Sequence, residues 1–225
     1  ITLQRTLISE ALNIAGHKKY KPGTQHGYAA SISGDIGSFH HNLLAHCAGR
    51  NWSLAGALDQ ASRHAGRLDI RNNVVYNFVT SAYGGEGGVY NFVGNYYLMG
   101  PNSKKIPSLV LSVDTRVFAV GNIGPLRTSL DQDEYAGIAW NGPRQRNELK
   151  ATERFDVAPP VTTHPCHEAY TRVLAGAGAS LPKRDTVDRR IVDEVSSRSG
   201  RIIDHPDDVG GWPRLNSGPA PRDAD

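Results

Sequence analysis

The side chains that could bind or transform a charged ligand are concentrated early in the chain. Three kinds of chemistry are open to such a set: a metal centre built on histidines, a nucleophile paired with a histidine, and a cationic surface for an acidic ligand. All of these residues lie in one stretch, and they are Glu10, His17, Lys18, Lys19, Lys21, His26, His40, His41, His46, Arg50, Arg63, His64, Arg67 and Arg71.

The spacing of these residues disfavours the first two chemistries. Neighbouring side chains on a strand point to opposite faces, so His40 and His41 cannot easily share one metal ion. No HExxH or CxxC motif accompanies them, and no GxSxG motif marks a nucleophile. Cys47 follows His46 directly, but adjacency in sequence is not the spatial pairing that a nucleophile needs.

A cationic strip fits the pattern better. Lys21 and Arg50 fall near the ends of consecutive predicted coils, and equivalent points on stacked strands lie about 4.8 Å apart. Guanidinium and ammonium groups bind carboxylates well, so a row of uronate carboxylates is a natural ligand. The alternative is that these charges are ordinary solvated side chains on a mildly basic surface.

Composition narrows the class of protein. The chain has 225 residues, 25 Lys and Arg against 22 Asp and Glu, and a hydrophobic fraction of 39%, which is enough for a packed core. The balance of charge is too small for a nucleic-acid-binding composition, and no apolar run is long enough for a membrane helix.

Two cysteines, Cys47 and Cys166, are expected as buried free thiols. The chain begins at Ile1 without Met or a signal pattern, so we expect a processed product or a fragment.

An Asn-marked repeat predicts the fold. Short apolar stretches are each followed by Asn, three residues after an inward apolar side chain, at Asn42, Asn73, Asn95 and Asn122. Spacings of this size suit a parallel β-solenoid, in which each coil adds one rung. Asn tolerates the left-handed conformation at a corner, and stacked amides can form a hydrogen-bonded ladder. A set of antiparallel strands with Asn turns is the alternative.

The last third of the chain predicts helices. A first helix places Tyr170, Val173, Leu174 and Ala177 on one face, and a second runs from Asp185, as N-cap, to Val195. We therefore expect an all-β solenoid over residues 1–150 and an arm of short helices over residues 151–225 that packs on it.

Several segments of the chain resemble a known family. The strings SEALNIAGHKKYKPGTQHGYAASISGDIGSFHHNLLAHCAGRNW, LDIRNNVVYNF, AYGGEGGVYNFVGNYYLMGP and IIDHPDDVGGWP resemble bacterial pectate lyases of the first polysaccharide lyase family. The resemblance implies a right-handed parallel β-helix that is secreted or periplasmic. It also implies cleavage of polygalacturonate by β-elimination, giving 4,5-unsaturated oligogalacturonates.

The resemblance assigns roles to individual residues. Arg50, just after the HHN strand, matches the arginine that abstracts the C5 proton. Lys21 best matches the lysine that contacts the substrate carboxylate, with Lys18 and Lys19 as alternatives. Trp52 is expected either to stack on a sugar ring or to pack under a loop. The second arginine of the family is absent here at its expected place, and Arg63 or Arg67, from the following insertion, is expected to substitute for it.

The family also binds calcium through acidic residues on coils before the lysine coil. Glu10 is the local candidate ligand, and most other ligands would lie upstream of this chain. We expect the first coil to be covered by the C-terminal helices or by self-association into a homo-oligomer. Two alternatives remain for function: a non-catalytic or degenerate pectin-binding solenoid, and a lyase for another uronate polymer. Neither nucleic acid nor a membrane is an expected partner.

Overall fold

The computed structural model describes residues 1–56, 66–143, 146–157 and 159–213 and arranges their strands in three parallel sheets. Each of the first four coils contributes one strand to each sheet in turn and the last coil contributes to two of them, which confirms the right-handed parallel β-helix. In chain order the strands are β1 (Thr2–Gln4), β2 (Leu7–Ser9), β3 (Ser31–Ile32), β4 (Ile36–His40), β5 (Leu43–Ala45), β6 (Ser53–Leu54), β7 (Arg67–Arg71), β8 (Val74–Tyr76), β9 (Ala82–Gly84), β10 (Val89–Val93), β11 (Tyr96–Leu98), β12 (Leu109–Leu111), β13 (Arg116–Val120) and β14 (Ile138–Trp140).

Successive coils stack in a strict order. Sheet 1 runs β1-β4-β7-β10-β13, sheet 2 runs β2-β5-β8-β11, and sheet 3 runs β3-β6-β9-β12-β14. In sheet 1, Phe39 is level with Leu3 and Ile70, and Ile70 is level with Phe92. Phe39, Ile70 and Phe92 are inward apolar positions that the repeat predicted, and they build a column through the solenoid interior.

The predicted Asn ladder is confirmed at the turn from sheet 1 to sheet 2. Asn42 Nδ2 donates to Asn73 Oδ1 at 2.9 Å, and Asn73 Nδ2 donates to Asn95 Oδ1 at 3.1 Å. Asn95 Nδ2 continues to Asn122 Oδ1 at 3.0 Å. Each Oδ1 also accepts the backbone N–H of the preceding ladder Asn. The ladder therefore satisfies buried backbone groups that a two-residue turn leaves unpaired.

The sequence suggested that the ladder Asn adopts the left-handed conformation at this turn. The structure instead places that conformation on another residue. Positive φ falls on the residue before the ladder position in every coil, at Arg5, His41, Asn72, Gly94 and Gly121. The residue type at the left-handed position varies among the coils.

Two helices cover the outer face of sheet 2. They are α2 (Cys166–Gly176) and α3 (Thr186–Ser197), and a short α1 (Arg146–Leu149) precedes them. Val173, Ile191 and Val195 pack with the outward residues of β5 and β8 in an apolar cluster separate from the solenoid interior. The Asp185 side chain caps α3 by accepting from the Asp188 N–H at 2.8 Å, as predicted. The division at residue 150 stays a prediction.

Both cysteines are buried and free, as predicted. Within the described ranges, β1, β2 and β3 each hydrogen-bond to a strand on one side only. Leu7 packs against the helix-covered cluster, and the Gly178 N–H donates to the Arg5 carbonyl at 2.7 Å. Coverage of the first coil by self-association stays a prediction.

Of the helices in the described part of the chain, none has the length and apolar character that crossing a bilayer requires.

Candidate functional site

Arg50 lies in the turn that leads from β5 to β6, and the surrounding chain fixes its backbone. Its φ is 52°, and its carbonyl accepts the Ala30 N–H at 3.1 Å. The next residue, Asn51, donates from Nδ2 to the Cys47 and Thr80 carbonyls. These bonds tie the turn to the coils on either side, so the Arg50 side chain starts from a rigid base beside the outer face of sheet 3.

The Arg50 guanidinium makes polar contacts without being neutralised. Its Nη1 donates to Ser31 Oγ at 2.9 Å, and its Cζ lies 4.5 Å from the centre of the Tyr28 ring. Its Nε is buried without a hydrogen-bond partner. In the part of the chain that the structure describes, no carboxylate lies within ion-pair distance of Arg50. The site therefore presents a positioned positive charge with donors left for an anionic ligand.

An aromatic patch extends from Arg50 along the loop between β2 and β3. The His26 ring centre lies 4.2 Å from that of Tyr28 and 4.9 Å from that of Tyr20, and His17 lies 5.1 Å from Tyr20. Tyr20 is 45% exposed and Tyr28 is 37% exposed. Exposed aromatic faces beside cations suit a sugar acid, because the rings contact the apolar sugar face while the cations bind its carboxylate.

Gly49 allows this arrangement. A Cβ at this position would lie 2.8 Å from Thr80 Oγ1 and 3.1 Å from the Tyr28 ring. A larger residue would crowd both the Thr80 hydroxyl and the Tyr28 ring on which the Arg50 guanidinium rests. The glycine before Arg50 is therefore part of the site geometry.

Lys19 and Lys21 are exposed on the same loop, on either side of Tyr20. The Lys21 carbonyl accepts the Thr24 N–H and hydroxyl, which forms a tight turn. The ring contacts from Tyr20 through His26 to Tyr28 thus connect the lysine turn with Arg50. Their role in substrate binding stays a prediction.

Arg67 does not join this site. It begins β7 in sheet 1, and its guanidinium donates to both oxygens of the Asp35 carboxylate. We correct its assignment, because a cation already neutralised on a different sheet cannot replace the missing second arginine beside Arg50. Arg63 lies outside the described residues.

Trp52 is fully buried and packs against Phe39, with ring centres 5.9 Å apart. The expectation that it stacks on a sugar ring is therefore corrected, and its role is to fill the solenoid interior below the Arg50 turn.

Glu10 does not fit a calcium site. Arg190 Nη1 and Nη2 donate to its two carboxylate oxygens at 2.7 and 2.8 Å. Calcium takes six to eight oxygen ligands, several of them carboxylates. Within the described ranges there is no group of three or more His, Cys, Asp or Glu side chains placed to hold a metal ion. We therefore correct the assignment of Glu10, which holds helix α3 to the first coil.

Sequence reasoning missed Tyr28 and Ser31, the two residues that contact the Arg50 guanidinium. The available signal was the interleaving of aromatic and basic residues in HKKYKPGTQHGY. That pattern indicates a cationic and aromatic surface, but the partner of Arg50 depends on how the loop folds back beside the next coil.

The fold and this site define a parallel β-helix with a cationic, aromatic-edged surface suited to an acidic sugar. The chain is 28% identical over 174 residues to proteins named probable pectate lyase C from Aspergillus flavus and Aspergillus oryzae. It is 29% identical over 176 residues to the protein of that name from Emericella nidulans. Each match covers 70% of this chain and 38–39% of the relative, so the chain spans about two fifths of their length. No family model matches the chain. The relatives are fungal, and the bacterial branch stays a prediction.

Proposed function

We propose that this chain belongs to a pectate lyase-like enzyme that cleaves polygalacturonate by β-elimination and is secreted or periplasmic. The observation that carries the proposal is the Arg50 guanidinium, positioned by Ser31 and Tyr28 and free of any carboxylate among the described residues. The similarity to proteins named probable pectate lyase C supports the substrate class.

The proposed reaction uses cations in two ways. The lysine turn and its neighbours neutralise a uronate carboxylate, which makes the adjacent C5 proton more acidic. Arg50, in its neutral form, takes that proton, and the electron pair of the C5–H bond forms the C4–C5 double bond. The C4–O bond then breaks, and the leaving oxygen takes a proton from solvent. The product carries a 4,5-unsaturated uronate at its new end.

We include in this proposal the calcium binding that the resemblance implies. Its ligands are residues other than Glu10. No step above depends on it. Assays with added calcium and with a chelator measure its contribution directly.

The first test is the ultraviolet absorbance of the unsaturated product on polygalacturonate. We expect Arg50→Ala to lower kcat by at least about a hundredfold, since a positioned base contributes 10²–10⁴-fold. Arg67→Ala is the matched control, because its guanidinium is paired with Asp35 on another sheet, and it should keep wild-type activity. Full activity in Arg50→Ala would reject the assigned base.

The second candidate is a non-catalytic pectin-binding solenoid. It is favoured by the Tyr28 ring, because a cation–π contact stabilises the charged guanidinium that binds carboxylates rather than the neutral form that removes a proton. Binding of oligogalacturonate that Arg50→Ala abolishes, without any unsaturated product from the wild-type chain, would establish this function. Assays on alginate beside polygalacturonate distinguish these two candidate functions from a lyase for another uronate polymer.

A further inference from the structure

A second cationic site lies at a different turn of the solenoid. A cavity of about 540 Å³ opens where the turn from sheet 1 to sheet 2 meets the end of α2. Arg50 does not line it, since that residue lies at the turn from sheet 2 to sheet 3. The cavity is large enough for a small organic anion. Its polar lining includes Arg5, His40, His41, Thr162, His164 and Arg172.

Positive charge in this cavity exceeds the negative charge that faces it. Arg5 has no carboxylate within ion-pair distance among the described residues. Arg172 and His164 share the single carboxylate of Glu168, with Nε–Oε1 and Nδ1–Oε1 distances of 2.7 and 3.2 Å. Asp69, whose charge acts on His40, is buried in a two-bond pair with Arg71. Among the described residues, the guanidiniums of Arg5 and Arg172 therefore face the one exposed carboxylate of Glu168.

The two adjacent histidines form a proton-sharing pair. Their Nδ1 atoms lie 3.0 Å apart, so one ring donates and the other accepts. Neither Nε2 atom has a hydrogen-bond partner among the described residues. In the neutral pair, only the accepting ring carries a proton on Nε2. One added proton gives both rings an Nε2–H, so a single protonation doubles the number of free imidazole donors.

We propose that this cavity binds a small oxyanion, a phosphate or a carboxylate group, between Arg5, Arg172 and the His40–His41 pair. The bound anion supplies the negative charge that this surface lacks. Arg5 and His41 occupy equivalent left-handed positions of neighbouring coils, so the stacking of the solenoid itself places their side chains together.

Binding should depend on pH. Burial and the nearby His40, His164, Arg5 and Arg172 lower the pKa of His41 from 6.5 to about 4. Burial, followed by Arg5 and Arg71, also lowers the pKa of His40, against an opposing effect of Asp69. An anion favours the protonated pair and raises these pKa values in the complex. The complex then takes up a proton on forming, so affinity for a carboxylate ligand, which stays ionised over this range, increases as the pH falls from 7 toward 5.

The test is calorimetric titration of the chain with inorganic phosphate and, in a second arm, with digalacturonate. His41→Asn is the main variant, because the equivalent position of the next coil is Asn72 with the same left-handed backbone. Arg5→Gln removes the unpaired guanidinium. Lys105→Gln, an exposed cation outside the cavity, is the charge-matched control.

We expect both cavity variants to weaken binding by about tenfold, the equivalent of one charge-assisted hydrogen bond, while Lys105→Gln leaves it unchanged. Phosphate binding with this pattern identifies a phosphate-type ligand, and digalacturonate binding with this pattern identifies a uronate carboxylate. The proposal is overturned if neither probe binds, or if the cavity variants bind as wild type. It does not rest on lyase activity, which the Arg50 assays test separately.

Discussion

At the scale of the residue, three arginines show how surroundings determine role. Arg50 rests on Tyr28 and Ser31 without a carboxylate, whereas Arg67 is paired with Asp35 and Arg190 with Glu10 and Glu194. The exposed Arg67–Asp35 pair contributes little to stability, but either kind of pair removes both charges from ligand binding. The unpaired arginine is therefore the one with chemistry left to perform.

The neighbours of the buried His46 determine which of its two ring nitrogens carries the proton. Asn102 orients the Asn77 amide by donating its N–H to Asn77 Oδ1 and accepting from Asn77 Nδ2. The same Nδ2 lies 2.9 Å from His46 Nδ1, which must therefore be an acceptor. The His46 proton then lies on Nε2, which is 3.1 Å from Glu194 Oε2. Burial, with a smaller effect of Arg190 and against that of Glu10, lowers the pKa of His46 from 6.5 to about 4.

This shift predicts that the fold loses stability in mild acid. Between pH 6.5 and 4 the unfolded chain binds a proton at His46 that the folded chain does not, so stability falls as the pH falls. The contribution of His46 between pH 7 and 5 is about 2 kcal/mol. Urea unfolding at both pH values measures it. His46→Asn, which copies Asn77 of the next coil, should reduce the pH dependence, and an unchanged dependence would contradict the prediction.

At the scale of the element, the Asn ladder is a buried contact that joins one coil to the next outside the sheets. Asn73 accepts from the N–H and the Nδ2 of Asn42, and donates to the Phe39 carbonyl and to Asn95 Oδ1. All of these groups are buried, so no water replaces a lost partner.

Asn73→Ala should therefore lower the free energy of unfolding by about 3 kcal/mol, because several buried groups lose their partners at once. Thermal and urea denaturation measure the change. Asn141→Ala, an exposed Asn near the far end of sheet 3, should change it by less than about 0.5 kcal/mol. Equal stability of the two variants would show that the ladder is not a stabilising element.

At the scale of the whole molecule, the helical arm and the solenoid share an apolar interface. Ile191 and Val195 of α3 are fully buried against the outer face of sheet 2, and the Tyr76 hydroxyl donates to the Ser199 carbonyl at 2.8 Å. Without the helices, sheet 2 would expose a continuous apolar surface.

Ile191→Asp should detach the arm, because it places an unpaired charge in that interface at a cost of several kcal/mol. Limited proteolysis should then cut the chain near α3 while the wild type resists. Asp193→Ala, on the exposed side of the same helix, should behave as wild type. Resistance of Ile191→Asp would mean that the arm does not depend on this interface.

The sequence by itself determined the coil repeat, the inward column of Phe39, Ile70 and Phe92, the Asn ladder and the capped helix at Asp185. These features follow from local periodicity and from what an amide or a carboxylate does at a turn. Only the tertiary structure decided which charges remain available. Asp35 pairs with Arg67 across 32 residues, and Glu10 pairs with Arg190 across 180. Charge pairing depends on spatial distance, which the chain sets through its fold and which spacing along the sequence does not encode.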